Sequence, residues 1–541
     1  MVALAYHARN SIPIMSPKAI EFRKHRLHPK LSRAIPRMTA MNLFKSTFLS
    51  KPQGSHVQSI RLLSDEEIGE DQSQPEETPS KLSTWIRQIQ HTIYAIFMAL
   101  LPSFIAQFFK SDRTPRKLHP TSFLDGLRGC AAFIVSYFHF IGATERWLLP
   151  SYGLNGDEMG SNFLQLPFIR VLFNGRVMVH IFMVISGYVL SCKAIKLVRS
   201  NRQSEADDVV ISLIFRRPLR LFLPCIAGLV LVDAEAWLGW QNWQAPDTIW
   251  GKIMNIGTNA AHLIWSWDWD REYSWLLNQL WTIPVEFACS MMLFVVLLGT
   301  SRLRSGIRIG LVTMLAIYSH ACMHWCPFEF MAGMLIAEVE LVIAERSRNM
   351  GPQIEAASLE KQTRAKSAAT ILYNSFWTTI FIAALFLAGY PQENADISWG
   401  FSYIVPFTPR IYLEAGDVLP SYFWFSISAV MIVVSLFRVP FLRKPFETGF
   451  AQYLGDVSYS VYIVHYSKVL MLTNWITGKA HAIVGETDWQ IKRDFVVILE
   501  VIMLMVVVIW QADLFWRFVD KPTVAFARRA EKFCRRPSSD L

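Results

Sequence analysis

Arg128 and His139 stand eleven residues apart in the stretch Ser122-Phe-Leu-Asp-Gly-Leu-Arg-Gly-Cys-Ala-Ala-Phe-Ile-Val-Ser-Tyr-Phe-His-Phe-Ile141. At about 100° per residue they fall on nearly the same side of a helix, with a separation of about 16 Å along its axis. The stretch is long and apolar enough to cross a bilayer, where ionisable groups are expensive and mark functional sites by default. A buried neutral imidazole can take a proton from an alcohol, the step that acyl transfer to a hydroxyl requires. A histidine hydrogen-bonded inside a helix bundle is the plainer alternative, against which Arg128 and Asp125 on the same helix weigh. For Asp125, three residues before Arg128, a local ion pair is the preferred role.

Four further clusters carry chemistry-bearing side chains. In Gly175-Arg-Val-Met-Val-His-Ile-Phe-Met-Val-Ile-Ser-Gly-Tyr188, Arg176 and His180 adjoin an apolar run, and Ser186-Gly187 offers a small face for close helix approach. His180 suits a substrate pocket or a structural hydrogen bond equally, and Ser186 suits packing. Phe215-Arg-Arg-Pro-Leu-Arg-Leu-Phe-Leu-Pro224 places Arg216, Arg217 and Arg220 at an expected helix start. They are topology determinants, a clamp for a polyphosphate cofactor such as coenzyme A, or both. In Gln279-Leu-Trp-Thr-Ile-Pro-Val-Glu286 the acid lies within an apolar run and Pro284 is expected to kink or loosen the helix beside it. Glu286 there either orients an imidazole or partners an intramembrane arginine. Gly455-Asp-Val-Ser-Tyr-Ser-Val-Tyr-Ile-Val-His465 brings Tyr459 and His465 to the bundle interior, with hydrogen bonding and packing the default for each.

The elements that must hold these groups are long apolar runs. The 541 residues are 52% hydrophobic and only 18% charged, which indicates one large polytopic membrane domain. Apolar runs of spanning length recur at about 122–143, 177–195, 219–240, 276–299, 307–324, 326–344, 371–390, 422–438, 453–475 and 495–517. The expected fold is all-α, a polytopic bundle of about ten transmembrane helices. A marginal run at 92–109, interrupted by Pro102, is expected to be interfacial or re-entrant. Every second connection is rich in Arg and Lys, so the positive-inside rule puts both termini in the cytosol. The basic-poor connections at 241–275 and 391–421 are long and rich in Trp, Tyr and Pro, as loops at the interface or over a cavity would be.

Four parts follow: a disordered cytosolic tail over 1–84, an interfacial segment and linker over 85–118, the transmembrane domain over 119–522, and a basic cytosolic tail over 523–541. The first sixty residues, basic and nearly free of acid, also have the composition of a mitochondrial transit peptide, but no amphipathic Arg-bearing helix is evident there. The net charge of +10 suits loops facing anionic lipid, and no nucleic-acid partner is expected, since no basic run is interleaved with aromatics. Seven cysteines, mostly inside apolar runs, indicate packing rather than a disulfide framework. His320, Cys322, His324 and Cys326 alternate in a short turn, but their spacing matches no common zinc pattern and no metal is expected. No P-loop, dinucleotide-binding fingerprint or Gly-x-Ser-x-Gly elbow is present, which excludes the corresponding nucleotide-driven, redox and hydrolase classes.

Taken in order, Phe-Leu-Asp-Gly-Leu-Arg-Gly with His139, Phe-Met-Val-Ile-Ser-Gly-Tyr, Arg-Arg-Pro-Leu-Arg-Leu, Leu-Trp-Thr-Ile-Pro-Val-Glu and Val-Ser-Tyr-Ser-Val-Tyr-Ile-Val-His resemble the membrane acyltransferase-3 family over about 122–522. The closing Val-Asp520-Lys-Pro522 resembles the family's acidic-x-Pro ending. The pattern departs at Phe182-Met183, where two aromatics are usual, and at Pro284. The long tail and Trp-rich loops look most like fungal members, many of which O-acetylate secondary metabolites.

The resemblance implies transfer of an acyl group, commonly acetyl from acetyl-coenzyme A, to a hydroxyl of a small lipophilic acceptor. It points to Arg128 and His139 as the central pair, with Glu286 in support. Arg216, Arg217 and Arg220 are then expected to bind the cofactor, and Arg176, His180, Ser186, Tyr459 and His465 to line the pocket. The other partner is membrane lipid, with the endoplasmic reticulum or another endomembrane the expected location. A carrier or flippase using His and Arg for proton coupling is the rival class.

Overall fold

Hydrocarbon offers no water to backbone N–H and C=O groups, so spanning segments must close their hydrogen bonds internally, and apolar runs of this length become helices. The computed structural model describes residues 81–106, 109, 117–154, 161–241, 243–266, 276–354, 362–416, 418–485 and 490–535. Among them all regular structure is helical. The described residues up to Tyr94 and those from Ala95 on belong to two different compact units. The tail expected over 1–84 lies outside the described residues up to residue 80.

The longer helices are α1 (Lys81–Leu100), α2 (Ser122–Thr144), α3 (Gly175–Arg199), α4 (Gln203–Trp237), α5 (Ile249–Ile264), α6 (Thr282–Thr300), α7 (Ser305–Ala321), α8 (Trp325–Ile354), α9 (Gln362–Ala388), α10 (Leu419–Arg438), α11 (Gly449–Val484), α12 (Gln490–Phe515) and α13 (Lys521–Cys534). Each of the ten apolar runs lies mostly within one of them. Among the described residues, six helical stretches are long and apolar enough to cross a membrane: α2, α3, α6 with the turn before it, the second part of α9, α10, and the run from Ile491 to Cys534 that holds most of α12. The other four runs are helical too, but α7 has only 17 residues and α4, α8 and α11 are interrupted by polar or charged side chains.

Two local expectations are corrected, and helices are located in two further segments. The Arg216–Arg220 cluster is not at a helix start, because α4 begins at Gln203 and continues through Pro218 and Pro224. Pro284 does not kink α6: it is the third residue, where the backbone N–H has no intrahelical acceptor and its loss costs little. The run at 92–109 belongs to a helix that starts earlier, at Lys81, and stops before Pro102, with Trp85, Ile89, Ile93, Ile96 and Leu100 exposed along it. The connection at 241–275 contains α5, capped by the Thr248 hydroxyl accepting from Gly251 N–H, with Ile249, Trp250, Ile253 and Met254 exposed.

Glycine sets the closest helix approaches. A Cβ at Gly129 of α2 would stand 2.3 Å from the Gly455 nitrogen of α11, and one at Gly455 would stand 2.5 Å from the Asp125 carbonyl oxygen. The Gly187–Gly333 approach joins α3 to α8 in the same way, as the small face at Ser186-Gly187 predicts. All seven cysteines are free, and Cys225, Cys289 and Cys326 are buried.

Candidate active site

Helix α2 turns both of its central residues toward α11. The Arg128 guanidinium donates from Nε to Ser458 Oγ at 3.0 Å and from Nη2 to the Gly455 carbonyl at 3.0 Å. Asp125 stands 3.4 Å from it, the local ion pair expected from their spacing. Three turns further along, the His139 ring stacks on His465, with centroids 5.4 Å apart and planes inclined by 28°, and Tyr466 meets it edge-on. The stripe predicted from the eleven-residue spacing is therefore one face of one helix pair.

His465 is fully buried. Its Nδ1 lies 3.1 Å from the Val461 carbonyl, and a carbonyl can only accept, so the proton is on Nδ1 and the Nε2 lone pair is free. Nε2 has no partner among the described residues. Tyr459, on the same helix, is tied across to α4, donating to the Leu221 carbonyl at 2.6 Å with Cys225 Sγ at 3.2 Å.

The three arginines of α4 separate in role. Arg217 donates to Glu286 Oε1 at 2.6 Å and to Ser290 Oγ at 2.7 Å, while Ser186 Oγ donates to the same Glu286 oxygen at 3.1 Å. Glu286 is thus the partner of an arginine, and its side-chain hydrogen bonds among the described residues are with Arg217 and Ser186. Arg216 pairs with Glu531 of α13 at 3.1 Å. Arg220 is exposed and has no hydrogen bond or ion pair within 4 Å among the described residues, although Arg128, Arg216, Arg217 and Asp520 all lie within its electrostatic reach. The result is a four-arginine cluster at the Arg128 end of α2, only partly neutralised by carboxylates.

Beyond His139, the start of α3 brings in Arg176, whose charge acts on both His139 and His180. Arg176 is half-buried and has no hydrogen bond or ion pair among the described residues. His180 is buried in a polar knot within aromatic walls. Its Nδ1 meets Glu329 and lies 3.2 Å from Ser426 Oγ, Ser426 donates to Glu329 Oε1 at 2.6 Å, and Trp325, Tyr422 and Phe425 pack around the ring. His320, from the alternating His and Cys run, stacks between Phe328 and Phe423.

Sequence reasoning missed Glu329, Ser426 and Tyr466, and also the buried pair Lys468–Glu235 linking α11 to α4. A signal for Glu329 and Lys468 was present, since each is an ionisable residue inside an apolar run, the same criterion that singled out Glu286.

A family model described as an acyltransferase domain matches residues 121–517, most of the chain. The chain belongs to this acyltransferase family. The matched region contains Arg128, His139, Arg176, the α4 arginines, Glu286 and His465, and ends three residues before Asp520. Among relatives, the chain is 29% identical over 454 residues to "O-acetyltransferase PaAT-1" of Phomopsis amygdali, covering 78% of this chain and 87% of that protein. It is 25% identical over 461 residues to "Acyltransferase clz18" of Cochliobolus lunatus, covering 74% of this chain and 94% of that one. No solved structure matches significantly.

Proposed function

We propose that this family member is an integral membrane O-acetyltransferase that moves an acetyl group from acetyl-coenzyme A to a hydroxyl of a small lipophilic metabolite. One observation carries the reading. Arg128 and His139 share a face of α2 and both engage α11, so an anion-binding end and a proton-accepting end lie on one path about 16 Å long. The similarity to an O-acetyltransferase supports acetyl as the group transferred.

Acetyl-coenzyme A would supply a thioester, whose carbonyl carbon bonds to the acceptor oxygen as the carbon–sulfur bond breaks. Arg220, unpaired and exposed, and Arg128 hold phosphate oxygens at the arginine-rich end. His139 takes the proton from the acceptor hydroxyl as that oxygen attacks, and returns it to the departing sulfur. Arg176 stands on the His139 side and offsets the negative charge that develops on the carbonyl oxygen. The distance along α2 gives Arg128 the cofactor-holding role rather than a role at the thioester. Glu286 keeps Arg217 in place, and Tyr459 and His465 line the pocket beside α4 and His139. His180, held by Glu329 and Ser426, shapes the far wall with Ser186 nearer the arginine end.

The same reading takes all ten apolar helices as spans, with α1 and α5 on the interface. Both termini then face the cytosol and the arginine end faces the coenzyme A pool. The endoplasmic reticulum is the proposed compartment.

The test is comparative metabolite profiling with and without the gene, followed by assay of the purified full-length chain with the metabolite that loses one acetyl group. Wild type should release free thiol from acetyl-coenzyme A only when acceptor is present. Acceptor-independent membrane flux without any thiol release would sink the transferase reading and favour a carrier.

A further inference from the structure

The end of α2 farthest from Arg128 carries a second polar cluster that the transfer reaction does not use. Glu145 follows the last residue of α2, His481 lies three residues before the C-terminus of α11, and Glu500 sits inside α12. One ligand-type atom from each lies within 4.8 Å of the others. Glu500 is 1% exposed, and neither of its carboxylate oxygens has a hydrogen-bond partner of ordinary geometry among the described residues. Thr477 and Glu145 stand close enough to Glu500 for side-chain hydrogen bonding, but neither makes a bond of ordinary geometry to it, and the Thr477 hydroxyl has no such partner among the described residues. Glu145 is 9% exposed and accepts from Trp147 Nε1 at 2.5 Å through Oε2.

This arrangement is costly as it stands. A buried carboxylate without donors forfeits its solvation, and a second carboxylate beside it adds repulsion. Arg493 lies over the Trp147 ring, 5.8 Å from its centroid, and makes no ion pair with either acid among the described residues. A positive charge that accepts two oxygens and one imidazole nitrogen would resolve both deficits at once.

We propose that Glu145, His481 and Glu500 bind one divalent cation of the zinc or manganese class. Two carboxylates with one imidazole suit these borderline ions better than calcium, which prefers six to eight oxygens, or magnesium, which keeps several waters. The exposed His481 leaves the site open to water at the remaining coordination positions. The ion ties together the ends of α2, α11 and α12. Because Glu145 is six residues beyond His139, it would fix the register of the helix that carries His139, a structural role separate from the chemistry.

The test uses the full-length chain in nanodiscs, stripped with a chelator, incubated with zinc or manganese chloride, desalted and assayed for bound metal by mass spectrometry. Thermal unfolding is followed in parallel. Wild type should retain one equivalent of zinc or manganese and melt higher with it. Glu500→Gln and His481→Ala should each weaken binding by at least about 100-fold, since even outer partners of metal ligands are worth 10–100-fold. Metal-free Glu500→Gln should melt above metal-free wild type, because the amide removes the repulsion, while losing the metal-induced rise. His481 is exposed, so its alanine variant tests the site without disturbing a buried position. If wild type retains neither ion, or if both variants retain it as wild type does, the proposal is overturned; in the first case the two acids share a proton instead.

Discussion

Replacing Gly129 by alanine puts a methyl group where α2 and α11 have no room for one. The added carbon would stand 2.3 Å from Gly455 N and 2.5 Å from the Leu454 carbonyl carbon, both backbone atoms. Carbon contacts settle at about 3.5–4.0 Å, so the two backbones must part by about 1 Å. Overpacking of this kind costs about 1–3 kcal/mol, against which alanine's higher helix propensity returns up to about 1 kcal/mol. The expected net loss is about 1–2 kcal/mol. The larger effect is on activity, because the same interface holds Arg128 on Ser458 and His139 on His465. A misplacement of about 1 Å in reacting groups costs about 100-fold in rate. The assay pairs thermal unfolding in detergent with acceptor-dependent thiol release from acetyl-coenzyme A. Gly142→Ala, on the same helix but with nothing within 4 Å of the added carbon, is the control and should hold or gain stability with activity unchanged. If Gly129→Ala matches Gly142→Ala in both measurements, the close α2–α11 contact does not position the site and the reasoning fails.

Other substitutions separate the proposed roles. His139→Ala should keep the fold and lower transfer by about 10²–10⁴-fold, the usual contribution of a positioned base; ordinary turnover in the purified variant would remove His139 from the mechanism. Arg220→Ala should raise the KM for acetyl-coenzyme A with little change in kcat, and the effect should shrink at high salt, whereas a kcat defect at saturating cofactor would contradict a binding role. Arg217→Met alone strands Glu286 and should cost up to about 3 kcal/mol, the low end for buried pairs because the side chains are 15% and 21% exposed. The double variant with Glu286→Leu should recover much of that loss, measured by a thermal double-mutant cycle. A single-variant loss that the double change leaves in place would show that the pair is not a unit.

The sequence by itself determined where helices form, because apolar length and the backbone's need for internal hydrogen bonds act locally, and all ten apolar runs are helical. It also determined that Arg128 and His139 share a face, since helix periodicity fixes that without any neighbour. The same local reasoning misjudged Pro284 and the Arg216–Arg220 cluster, because helix starts in polar stretches depend on caps and packing that hydropathy does not register. Only the tertiary structure decided which ionisable groups meet. Glu286 found Arg217, His180 found Glu329, His139 found His465, and Glu145, His481 and Glu500 came together from three helices. Charge pairing between helices acts over a few ångströms but joins residues up to hundreds of positions apart, so the chain order carries no trace of it until the glycine contacts bring α2 and α11 together.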